Sequence, residues 1–137
     1  MPIKFVDLKE MGRRPDADRT PLINGPHFHS WFHIYKPGQA DEMHCHNADQ
    51  TFYMIDGECT MSFPDGSESV LTPGMAALIT GGSFYKLENR ASVPMVMMGV
   101  RGRASETTKT ILYDTREELI HPGQVKGDAP QATTILV

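Results

Sequence analysis

Two histidines one residue apart, His44 and His46, followed four residues later by Gln50, are the residues of this chain whose types and spacing point most directly to chemistry. On an extended strand successive side chains face opposite ways, so His44 and His46 point together while Cys45 points away. Two imidazoles on one face form a ready pair of metal ligands. Gln50 lies at an even offset and can return to that face after a local bend, where its amide oxygen would complete a hard-metal or zinc site. The competing reading is a pair of histidines that only hydrogen-bond inside a barrel.

A second titratable face lies upstream. In FHSWFHIYK, residues 28–36, one face carries Phe28, Phe32 and Ile34, and the other carries His29, Trp31, His33 and Tyr35, with His27 just before. If the second face looks inward, His29 or His33 can act as a general base near neutral pH. Parity alone does not choose between faces, and the expectation here is a dimer-facing or solvent-facing aromatic strand. Met95, Met97 and Met98 lie on an apolar run and read as packing residues rather than soft-metal ligands. Cys45 and Cys59 are too few for a disulfide framework and read as small buried residues. His121 reads as a surface residue.

The elements that must position these groups are short β-prone runs punctuated by Gly and Pro from about residue 27 to residue 101, the pattern of a sandwich or barrel. TFYMID (51–56) stops at Gly57, and ECTMSF (58–63) stops at the turn Pro64-Asp65-Gly66. ESVLT, MAALI and FYKLEN follow. MVMMGVR (95–101) reads as a buried strand because its apolar run is continuous. Beyond residue 104, KTILYD suggests a further strand and TREELI a short helix, with Thr115 and Glu118 at capping-box spacing. Residues 1–26, with four prolines, read as an arm packed outside or reaching a partner subunit.

The glycine frame around the histidines resembles the cupin family. Gly38, five residues, His44-Cys45-His46, three residues, Gln50 at an acid position, six residues and Gly57 match its first motif in all but one fixed position. Its second motif is kept more loosely in Gly74, Thr80 at a proline position, Gly82, Tyr85 at a histidine position and Asn89. The resemblance covers roughly residues 28–101. It implies an all-β fold, a double-stranded β-helix or jelly-roll barrel with its site in the mouth, and a homodimer. It also implies a divalent ion (Zn, Ni, Mn or Fe) on His44, His46 and Gln50, with Tyr85 as a ligand or proton shuttle in place of the missing histidine. His29 or His33 would be the other replacement. A neutral Gln50 leaves such a site one negative charge short, which sharpens the ion's Lewis acidity. Gln50→Glu is then expected to tighten metal binding.

With 39% apolar and 22% charged residues the 137-residue chain has the composition of one globular domain, 1–137, with a C-terminal extension from 104. A net charge of -4 argues against a phosphate-binding nucleic-acid surface. Arg13, Arg14 and Arg19, and later Arg101 and Arg103, read as solvated faces. Neither a signal peptide nor an apolar run of membrane-spanning length is present, so a cytoplasmic protein is expected. The function expected is metal-dependent Lewis-acid and proton-transfer chemistry on a small oxygen-rich molecule, of isomerase, lyase or cyclase type. The alternatives are a cupin dioxygenase and a non-catalytic small-molecule-binding cupin.

Overall fold

The computed structural model describes residues 3–11 and 19–120. His121 and the arginines at 13 and 14 lie outside them. Eleven strands are present among the described residues: β1 (Arg19–Asn24), β2 (His29–Tyr35), β3 (His44–His46), β4 (Gln50–Asp56), β5 (Cys59–Ser62), β6 (Glu68–Leu71), β7 (Ala76–Ile79), β8 (Lys86–Glu88), β9 (Met95–Arg101), β10 (Thr110–Leu112) and β11 (Glu118–Leu119). They fold into an all-β, double-stranded β-helix barrel. One layer is the five-stranded antiparallel sheet β1-β2-β9-β4-β7. The other joins two three-stranded sheets, β11-β10-β3 and β6-β5-β8, through paired backbone bonds of 2.9 Å between His44 and Tyr85.

The apolar pattern explains the layers. Along β9, Met95 and Met97 point into the barrel against Trp31, Phe52 and Leu87, while Val96 and Met98 face outward. Both faces are covered, which is why the run is continuously apolar. The outward cover is the N-terminal arm, where Val6 and Leu22 pack on Phe32 and Ile34. The even face of β2 is therefore the outer one, and His29, Trp31, His33 and Tyr35 turn inward. This overturns the expected outward aromatic face: parity was readable, but the arm that claims Phe32 and Ile34 was not.

Gly57 is required by both conformation and space. Its φ is +72°, and a Cβ there would lie 2.5 Å from the Pro94 carbonyl oxygen. Asn89 is buried and holds the opposite loop, its Nδ2 donating to the carbonyls of Tyr35 (3.0 Å) and Val93 (2.9 Å). The helical segment expected in the C-terminal part is one 3-10 turn, Ser105–Thr107, and not TREELI. There Glu117 N–H donates to Thr115 Oγ1 and Leu112 N–H to the Glu117 carbonyl, so the capping-box spacing serves a turn between β10 and β11. Local hydroxyl capping suits either structure, and strand pairing decides.

Candidate functional site

The barrel mouth holds a cavity of about 410 Å³ between the two layers. His44 and His46 enter it side by side from β3, with ring centroids 4.8 Å apart, while Cys45 packs behind them on Phe84 and Ile111. Each imidazole has its Nδ1 against a backbone carbonyl: His44 on Glu42 at 2.6 Å and His46 on Lys109 at 3.1 Å. A carbonyl only accepts, so Nδ1 carries the hydrogen and Nε2 the lone pair. His46 Nε2 lies 3.1 Å from the Tyr85 hydroxyl, which donates to it. Gln50 and Arg101 also reach the phenol oxygen. Burial pushes the phenol up to about 12, so it stays a hydroxyl at neutral pH.

The opposite wall, from β1, β2 and β9, is charged. Arg101 is 6% exposed, and its Nε donates to Gln50 Oε1 at 2.8 Å. Its partner across the ladder is His29, whose Nδ1 donates to the Arg103 carbonyl at 2.7 Å. The lone pair on His29 Nε2 is thereby turned toward Arg101 and Arg19, each at 3.4 Å. Both guanidiniums also lie over the Trp31 ring, 4.4 and 4.7 Å from its centroid. The indole is seated by Gly99 on β9, where a Cβ would come within 2.4 Å of it. Desolvation, with the two arginines adding to it, holds His29 down to about 4. Desolvation takes His33 down to about 3. Its Nε2 is buried with no hydrogen-bond partner. Asp41, 3.9 Å from His44, is driven up to about 7 by burial.

The fold thus gathers His44, His46, Tyr85, His29 and His33 around one cavity, with Gln50 bonded to Arg101 of its wall. Whether a divalent ion suits them is decided by the donors. The two imidazoles present lone pairs in the way metal ligands do, each braced from behind by a carbonyl. The rest of the set does not fit. The Gln50 oxygen already receives Arg101, and with metal–oxygen bonds of about 2 Å, an ion on that oxygen would stand within about 5 Å of the guanidinium. At ~4 Å and an effective dielectric near ~20, each like unit charge costs about 4 kcal/mol. Among the described residues, no group of three or more His, Cys, Asp or Glu could hold a metal ion.

Sequence reasoning missed Arg101, which it placed on a solvated face, and Arg19, which is exposed but reaches the cavity. Arg101 had a readable signal: it shares strand parity with Met95 and Met97, so it points where they point. Arg19 had none, because its position depends on the pairing of β1 with β2. No helix among the described residues is long and apolar enough to cross a membrane.

Comparison with known proteins agrees with this architecture. The profile of the cupin domain matches residues 31–101. The protein TT1209 from Thermus thermophilus is 26% identical, and its structure superposes with a TM-score of 0.65 over 74% of this chain and 98% of its own. A protein with a double-stranded β-helix domain from Klebsiella pneumoniae is 18% identical, with a TM-score of 0.66 over 77% and 88%. A structure named as a sugar phosphate isomerase of the cupin superfamily, from Silicibacter pomeroyi, is 18% identical, with a TM-score of 0.60 over 81% and 82%. No curated protein matches.

Proposed function

The chain belongs to the cupin domain family, and on that premise we propose that it is an isomerase-type enzyme that moves a proton on a small, oxygen-rich carbonyl compound held in the barrel mouth. The observation that carries this reading is the hydrogen-bonded pair of His46 Nε2 and the Tyr85 hydroxyl, 3.1 Å apart beside His44 in the cavity wall. Isomerisation of a hydroxycarbonyl compound needs a base for the C–H next to the carbonyl and an acid for the carbonyl oxygen. His44 Nε2 takes the proton and the Tyr85 hydroxyl, turned from His46 Nε2 to the carbonyl oxygen, gives one to that oxygen, forming an enediol. The proton returned to the neighbouring carbon and the one taken back from oxygen restore both residues, so no oxidant is consumed. That a structural neighbour is named a sugar phosphate isomerase is consistent with this reaction class and carries no more than that.

The test is exchange of C–H for C–D in deuterium oxide, followed by NMR over a panel of hydroxyaldehydes, hydroxyketones, their phosphate esters and 2-oxo acids. At least one compound exchanges with the native protein, and Tyr85→Phe slows it by about 10²- to 10⁴-fold. A compound that binds in the mouth but keeps its C–H would instead make this a binding module.

A further inference from the structure

The charged wall is built in a way that leaves its charge for a guest. Arg19 and Arg101 reach the same cavity, and neither is ion-paired with a carboxylate among the described residues. What joins them is the lone pair of one neutral imidazole, His29 Nε2, fixed in that tautomer by the Arg103 carbonyl. A carboxylate at that place would hold the two guanidiniums and cancel one charge; an imidazole holds them and cancels none. A buried, uncompensated guanidinium is costly, and burial accordingly lowers Arg101 to about 10. Trp31, whose ring lies under both guanidiniums, lines the same cavity.

We propose that Arg19 and Arg101, held over the Trp31 ring, form a clamp for the phosphate group of a small phosphate monoester. The inference deepens the functional reading above and rests on it for the mouth being the substrate site. A monoester carries close to two negative charges at neutral pH and three terminal oxygens, enough to meet both guanidiniums. A carboxylate offers one charge and two oxygens and leaves one arginine uncompensated. Arg19 lies on β1, outside the residues that the family profile matches. The cavity is of the size that takes a small ligand.

Trp31 is the single tryptophan of the chain and lies under both guanidiniums, so its fluorescence reports the clamp directly. The full-length protein is titrated with methyl phosphate, inorganic phosphate and acetate at constant ionic strength. Methyl phosphate gives a saturable change, acetate binds at least about tenfold more weakly, and Arg19→Met weakens methyl phosphate by about tenfold or more. Arg19 is exposed, so that variant tests the clamp in a folded protein, and Arg101→Lys, which keeps the charge and loses the fork, weakens it as well. The assignment is overturned if methyl phosphate gives no saturable change, if acetate equals it, or if Arg19→Met leaves it unaltered. Inorganic phosphate binding tenfold tighter than the ester overturns the ester in favour of the free ion. Methyl phosphate has no carbonyl, so this titration fails or succeeds separately from the exchange reaction. Exchange on phosphate-free compounds with no methyl phosphate binding removes only the clamp, and tight binding with no exchange removes only the proton transfer.

Discussion

On the β3 side of the cavity imidazoles are braced by backbone carbonyls, whereas on the β2 and β9 side guanidiniums are braced by an imidazole. The first arrangement fixes a tautomer and keeps lone pairs and one hydroxyl aimed inward, which suits proton transfer. The second fixes positive charge without neutralising it, which suits an anion. Histidine serves both walls, and its role is set by what lies behind Nδ1 and in front of Nε2 rather than by residue type.

Breaking the first wall alone has the largest effect. His46→Leu removes the lone pair that positions the Tyr85 hydroxyl and slows exchange by about 10²-fold or more, while methyl phosphate affinity stays as it was. A parallel loss of affinity would mean that the walls are not separate. Breaking the second wall without emptying it comes next. Gln50→Glu places a carboxylate 2.8 Å from Arg101 Nε, pairs one of the two cations, and weakens methyl phosphate by about tenfold. The expectation from sequence, that this change tightens a metal, had no guanidinium in view. Calorimetry with both ligands decides between them.

A smaller effect tests the seat of the charged wall. Gly99→Ala puts a methyl 2.4 Å from the Trp31 ring and costs roughly 1–3 kcal/mol in denaturant melts through overpacking. A neutral result would show that the indole moves freely. The smallest effect is on pH dependence. His33 is held at about 3 in the fold, mainly by desolvation, against an unfolded value of 6.5. The unfolded chain therefore binds the extra proton between those values, and stability drops as pH falls below 6.5. His29 acts in the same direction, and Asp41, raised to about 7, acts against it. His33→Gln leaves those two in place and removes about 2 kcal/mol of the loss between pH 7 and 5. Melts of equal pH slope in both proteins would contradict the burial of that ring.

Much of the β3 side was legible because it is local. His44, Cys45 and His46 obey strand alternation, and the glycines that end each run mark the turns, so the barrel and its histidine pair follow from spacing. The charged wall is non-local. Arg101 meets His29 across β9 and β2, and Arg19 arrives only because β1 pairs with β2, contacts that no window of sequence contains. Parity placed His29 and His33 on one face, but only the arm over Phe32 and Ile34 shows that this face is inside. The TREELI segment went wrong for the related reason that Glu118 pairs with Ile111, and pairing overrides local capping.

In the proposed reaction His44 Nε2 and the Tyr85 hydroxyl move the proton, with Gln50 held by Arg101 rather than by a metal ion. This is tested by C–H exchange in deuterium oxide on protein stripped with a strong chelator and shown metal-free by elemental analysis. Exchange at the rate of the untreated protein, abolished by Tyr85→Phe, is the predicted result; exchange lost on stripping and restored by a divalent ion would contradict it.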